Sequence, residues 1–216
     1  MNIIFGRKHY ADKRDKKHRI KLAVPKEATP NKKMWNDTKW SGDQGPTPQC
    51  VGYAWAHWLS SSPVRQYLNP SGIYELAQHI DEWEGEDYDG TSVRAGAKVL
   101  SKIGFIKSYE WAWDANKIVD TILATGPVVV GTSWLQGMLE PDSNNYIHAD
   151  GPNHGGHAYL LSGADRTKGR VRVKNSWGLD WGNQGHAWLS ISDLAKLIRD
   201  NGEACLGIEV RPTPSM

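Results

Sequence analysis

Lys174-Asn175-Ser176-Trp177-Gly178-Leu179-Asp180-Trp181-Gly182-Asn183-Gln184-Gly185 follows a strictly alternating segment, Arg170 to Lys174. The alternation predicts a strand with one buried face, and the glycines that follow predict tight turns. Working upstream, Asp165-Arg166-Thr167-Lys168-Gly169 reads as a turn, and His157 to Ser162 as the strand before it. Val128-Val129-Val130 is a further short β-branched run. Downstream, His186 to Ile191 and Leu206 to Val210 read as strands, separated by a short helix around Asp193–Arg199. The C-terminal part is therefore a mostly antiparallel sheet.

Before Val128 the period changes from two to that of a helix. Cys50 to Leu59 is apolar, rich in Ala and Trp, and stopped by Ser60-Ser61-Ser62-Pro63. Asn69-Pro70 pairs a capping residue with a first-turn proline and predicts a helix through about Trp83. Thr91 or Ser92 caps a third helix, with Gly104 as its stop, and Asp114 caps a fourth that ends at Gly126-Pro127. Helices followed by a mostly antiparallel sheet predict an α+β protein, with a site in the cleft between the two halves.

The chain has 216 residues, enough for one substantial domain or two closely packed halves. Mean hydropathy is −0.59, no apolar run approaches the ~18 residues of a membrane span, and the first residues lack the apolar core of a secretory signal. Two cysteines cannot build a disulfide framework. The expectation is a cytoplasmic, monomeric protein with no membrane partner. Its 11 Trp and 8 Tyr argue against disorder. The net charge of +2 hides an asymmetry: residues 1–33 carry +8 and the remainder −6. The basic residues of this arm come without interleaved aromatics or a known binding fold, so no nucleic acid is expected. A solvated tail, or a strap along the acidic body (34–216) and even across its active site, is expected instead. Held by screened surface attraction, such a strap would have few apolar anchors.

Three residues carry chemistry. Cys50 opens an apolar helix, where the helix dipole favours thiolate, although a cysteine there also serves as packing. His157 follows Gly155-Gly156 at the start of a strand. Asn175 comes eighteen residues later, where adjacent strands would set its side-chain oxygen beside the imidazole and leave the other ring nitrogen for the thiol. His148, His154 and His157 lack the fourth ligand and close spacing of a zinc site, so neither metal nor cofactor is expected.

In this ordered set the chain resembles the papain-like cysteine peptidases. Gln44, six residues before Cys50, is similar to the family's oxyanion glutamine. Gly155-Gly156-His157-Ala158 resembles its histidine strand, and Asn175 to Gly185 its Asn-Ser-Trp-Gly-x-x-Trp-Gly-x-x-Gly segment. Gly90-Thr91-Ser92 resembles a stretch of the cleft wall. The resemblance covers residues 40–210 and implies a helical half (about 40–126), carrying the nucleophile helix, packed on a sheet or barrel half (about 127–216). It implies a cysteine endopeptidase acting on peptides or proteins through a thioester, with catalytic Cys50, His157, Asn175 and Gln44. Gly90, Thr91, Ser92, Gly156 and Trp177 would bind substrate, as would Trp181, for which core packing is the equal alternative. The chain departs from the family at Thr47, Gln49 and Val51, where a cysteine, a small residue and a bulky aromatic are usual. With no long helical segment ahead of residue 40, these departures suggest a compact, disulfide-free microbial or viral branch. Transglutaminase-like or amidase acyl transfer, and a non-catalytic peptide-binding descendant, use the same constellation. Asp81 to Asp89 places six acidic groups in nine residues beside the cleft wall. They are a solvated loop or a bias toward basic substrates.

Overall fold

Capping chemistry starts the helices where the sequence places it. The computed structural model describes residues 3–21, 29–36 and 40–209. Strand β1 spans Lys32–Met34, and helix α1 spans Cys50–Ser60 with no side-chain cap. Asn69 accepts from the Ser71 N–H at 3.0 Å and opens α2, Pro70–Gln78. Ser92, not Thr91, caps α3, Val93–Lys102, accepting from Ala95 N–H at 3.0 Å. Strand β2, Ile106–Ala112, leads to α4, Ala115–Ala124, capped by Asp114.

Helix α2 stops at Gln78, short of Trp83. Just beyond its end two carboxylates turn inward. Asp81 accepts from the hydroxyls of Tyr88 and Thr91 at 2.6 and 2.7 Å. Glu82 accepts from the Ser92 hydroxyl at 2.8 Å and pairs with Arg94 and Lys98, both at 3.2 Å. These bonds to the following loop, to the Ser92 cap and to α3 take the place of another turn of helix.

The remaining elements are β3 (Val128–Leu135), β4 (Tyr146–Ile147), β5 (Asn153–Asp165), β6 (Arg170–Lys174), β7 (His186–Ser190), α5 (Ile191–Arg199) and β8 (Glu203–Glu209). The sheet order is β2-β8-β3-β5-β6-β7-β4, with β1 added to β5. Among the described strands of the sheet only the short β4–β7 pairing is parallel; isolated parallel bridges also join Arg7 to Thr91 and Arg19 to Trp111. Strand β2 is absent from the sequence reading because its burial is irregular, with a bulge between Ile106 and Ser108. Strand β5 begins four residues before His157, in polar and glycine residues that carry no strand propensity.

Alternation along the central strands divides the core in two. Val129, Ala158 and Leu160 face Trp55, Leu59, Val93 and Leu100 of α1 and α3. Val128, Val130, Tyr159 and Leu161 face Ile118 and Ile122 of α4 and Leu194 and Leu197 of α5. The central strands are thus covered on both faces, and the site lies where the N-terminus of α1 meets β5.

Candidate active site

Helix α1 begins at Cys50, which is fully buried. No carboxylate occupies its first turn. Burial pushes the thiol up from its ordinary range, while backbone N–H groups of Ala158, Gly6 and Val51 at the sulfur pull the other way. Ala158 follows His157 on β5, so the start of α1 and the strand that carries His157 meet at this point.

His157 Nε2 lies 2.8 Å from Asn175 Oδ1. The same oxygen accepts the Ser176 N–H at 2.8 Å. A carboxamide oxygen only accepts, so the proton of that contact resides on Nε2. The buried Nδ1 has no hydrogen-bond partner, and in neutral imidazole it holds the lone pair. Aromatic rings enclose the pair: Trp134 at 4.7 Å, Trp177 at 5.2 Å and Tyr159 at 6.2 Å from the imidazole.

Gln44 sits beside this pair because its loop pairs with the asparagine segment. Its N–H donates to Ser176 O at 2.8 Å, Asp43 bridges to Trp177, and Gly178 N–H reaches Gly42 O at 3.3 Å. Its Oε1 accepts the Ser176 hydroxyl at 2.7 Å, which turns Nε2 toward Thr47 O at 2.6 Å and Ile4 O at 3.3 Å. Gly178, with φ +76°, supplies the left-handed turn that this approach needs.

The carbonyl of Ile4 belongs to the N-terminal arm, which runs through the groove. Arg7 N–H donates to Gly156 O, Thr91 N–H to Gly6 O, and Lys8 N–H to Thr91 O, each at 2.9 Å. Phe5 meets His157 edge-on at 5.9 Å, while Gly6 reaches the Cys50 sulfur. One dipeptide therefore covers both thiol and imidazole. A strap is present, but its attachment differs from a film of screened charge. Ile3 and Phe5 pack on the core and Ile20 is buried. Farther along, the expected signs are reversed: Arg94 of α3 is gripped by the arm's own Asp15 and Asp12. Net charge conceals this because two acids among many bases do the pairing.

Sealed under the strap, His157 is pushed down to about 4 from 6.5 by burial, against the raising effect of Asn175. Thiol and imidazole are both neutral in this state. Between about pH 6.5 and 4, the unfolded chain binds a proton that the closed structure refuses. Stability is therefore full above this window and declines as pH falls through it. The whole effect is about 3 kcal/mol. Urea unfolding at pH 7 and pH 4 should show a drop that is smaller by about that amount in His157→Phe.

The other expected residues divide. Thr91 and Gly156 line the groove through backbone atoms, and a Cβ at Gly90 or Gly156 would overlap the strap. Ser92 is spent on its cap and on Glu82. Trp177 packs against the His157 ring with centroids 5.2 Å apart. Trp181 belongs to the core, its N–H donating to Leu139 O at 2.8 Å. His148 and His154 bond Asp142 and Gln136 at 3.0 and 2.6 Å, away from His157. No group of three or more His, Cys, Asp or Glu among the described residues is placed to hold a metal. No described helix is long and apolar enough to cross a membrane. Cys50 and Cys205 are both free thiols. The sequence reading missed Phe5, Gly6, Arg7 and Ser176. Only Ser176 carried a signal, as the neighbour of Asn175.

No family model matches the chain. It is 26% identical over 156 residues to cathepsin B-like cysteine proteinase 5 of Caenorhabditis elegans, a match covering 70% of this chain and 36% of that protein. It is 29% identical over 118 residues to cathepsin B-like cysteine proteinase 3 of Ostertagia ostertagi, covering 49% and 67%. With cathepsin B-like CP3 of Giardia intestinalis, 30% identity over 83 residues covers 37% of the chain and 28% of the relative. The match thus spans about a third of the first of these relatives. Among solved structures, xylellain, a cysteine protease from Xylella fastidiosa, superposes with a TM-score of 0.75 at 21% identity over 97% of both chains. Digestive procathepsin L 3 of Tenebrio molitor gives 0.65 at 15% identity, over 88% of this chain and 74% of its own.

Proposed function

We propose that this chain, papain-like in fold and related in sequence to the cathepsin B-like cysteine proteinases, is a cysteine peptidase held latent by its own N-terminal strap. The observation that carries the reading is the juxtaposition of a helix-start thiol and an Asn-oriented imidazole, both covered by one dipeptide of extended chain.

With the strap displaced, water reaches the pair, and the burial that keeps both groups neutral is relieved. The Cys50 thiol passes its proton to His157 Nδ1. The thiolate adds to a peptide carbonyl carbon, and the oxyanion takes hydrogen bonds from the Gln44 amide and the Cys50 N–H. The Gln44 amide Nε2 already donates to one carbonyl of the strap, that of Ile4. Collapse breaks the C–N bond as imidazolium protonates the leaving amine. Water, deprotonated by His157, then attacks the thioester and releases acid and thiol. Asn175 holds the ring by accepting from Nε2. Two free thiols suit a reducing compartment such as the cytoplasm.

A peptide-based thiol alkylator with the full-length protein tests the assignment. Mass spectrometry should find one adduct, on Cys50 and none on Cys205; preferential labelling of Cys205 rejects it. In Asn175→Ala the kcat should fall by no more than the roughly 10²–10⁴ that general acid–base catalysis contributes. The thiol and its oxyanion donors remain in that variant.

A further inference from the structure

Two histidines are buried among the described residues, His157 and His57, and the reaction above uses only the first. His57 lies on α1 seven residues after Cys50, so Cys50, Tyr53 and His57 follow one side of that helix. From there it reaches the loop ahead of the helix, where its Nε2 accepts the N–H of Gly42 at 3.3 Å. Only an unprotonated ring nitrogen accepts an amide proton, so Nε2 of His57 holds the lone pair, the reverse of His157. Trp40 lies against the same ring, with centroids 4.7 Å apart.

Gly42 is threaded between aromatic side chains: a Cβ on it would lie 2.7 Å from atoms of both Trp40 and Tyr53. Its carbonyl accepts the Gly178 N–H from the far side. One residue is thus bonded to α1 through its N–H and to the segment after Asn175 through its C=O. Gln44 stands two residues on, with Ser176 holding both its N–H and its Oε1. A buried imidazole on an otherwise apolar helix is costly unless bonded, and so is an amide enclosed by two rings; each answers the other's need.

We propose that His57 is a positioning residue for the reaction: by accepting the Gly42 N–H it fixes the loop that aims the Gln44 amide at the oxyanion. The inference rests on the peptidase reading of Cys50. An oxyanion donor works only where it is preorganised. The Ser176 bonds fix the loop at Gln44 itself, and the His57 bond fixes it at its entry. Without that acceptor the Gly42 N–H must turn elsewhere, and Asp43 and Gln44 follow along the backbone. With the bond in place, one rigid helix holds the thiol and the oxyanion loop in the same frame.

The test uses the full chain carrying Gly6→Ala, in which a Cβ would overlap the Pro48 carbonyl and lift the strap. This chain is compared with versions that add His57→Gln, whose side-chain oxygen can accept near the place of Nε2, or His57→Phe, which keeps a ring against Trp40 and accepts nothing. His57→Leu replaces the latter should it fail to fold. On a library of fluorogenic peptides, His57→Phe should lower kcat by about ten- to hundredfold and leave KM within about threefold. His57→Gln should recover most of that kcat. Iodoacetamide needs the thiolate but forms no oxyanion, so Cys50 should be alkylated at one rate in all three proteins. Hydrogen exchange followed by NMR should find the Gly42 amide faster by about tenfold or more in His57→Phe alone. An unchanged kcat in His57→Phe, a loss shared equally by alkylation, or Gly42 exchange indifferent to residue 57 overturns the positioning role. Exchange that follows residue 57 while none of the proteins hydrolyses any library member supports the bracket on the loop and instead defeats the peptidase reading.

Discussion

Cys50→Ala should remove peptide hydrolysis, by a factor on the order of 10⁶ if it follows the loss seen for a hydrolase nucleophile. The fold should survive, because alanine is the strongest helix former and the sulfur it replaces is small. The side chain is fully buried against α3 and β5, where a slightly smaller apolar group leaves little void. Circular dichroism and the urea midpoint should stay near those of the parent. Hydrolysis at the parent rate by the alanine protein would move the nucleophile elsewhere and defeat the assignment.

Gly6→Ala should have the next largest effect, in the opposite direction. A Cβ at Gly6 would overlap the carbonyl of Pro48, a backbone group fixed just ahead of α1, so it cannot swing aside as a side chain would. The strap must lift, taking with it the contacts of Phe5 and the Arg7–Glu203 pair. Separating a buried ion pair costs about 3–5 kcal/mol. If the lost contacts are of that order, the open form rises on the order of 10²–10³-fold. Alkylation of Cys50 and cleavage of a small peptide should accelerate together by about this factor. Gly72→Ala is the control, since a Cβ there has nothing within 4 Å. Equal alkylation rates for parent and Gly6→Ala would mean that the strap does not protect the thiol.

The placement of Cys50, His157 and Asn175 was legible in the chain because each sits at a boundary that local chemistry writes. Cys50 starts a helix after a turn-rich loop, His157 follows a glycine pair at the start of a strand, and Asn175 ends an alternating strand before glycine turns. Their order and the Asn-Ser-Trp-Gly segment supplied the family resemblance. The six-residue spacing singled out Gln44, whereas its partner Ser176 was signalled only as the neighbour of Asn175. For Trp181 the pattern left core packing and a substrate contact equally open, because a pattern does not say which way an indole points, and the indole lies in the core. The arm was misread in its attachment. Its +8 charge suggested a film of cations on an acidic surface, whereas Phe5, Gly6 and Arg7 do the covering and Asp12 and Asp15 grip Arg94.

What the sequence determined by itself is what neighbours a few residues apart decide. Caps at Asn69, Ser92 or Thr91, and Asp114 began the helices, and a change from helical to twofold period divided helices from sheet. The tertiary structure alone decided that residues 3–9 close the groove, that Arg7 meets Glu203 across 196 positions of chain, and that thiol and imidazole lie neutral beneath them. Such contacts exist only once the chain has closed. Their strength comes from exclusion of water around groups whose sequence neighbours carry no trace of one another, and it is that burial which sets the charge state of the site.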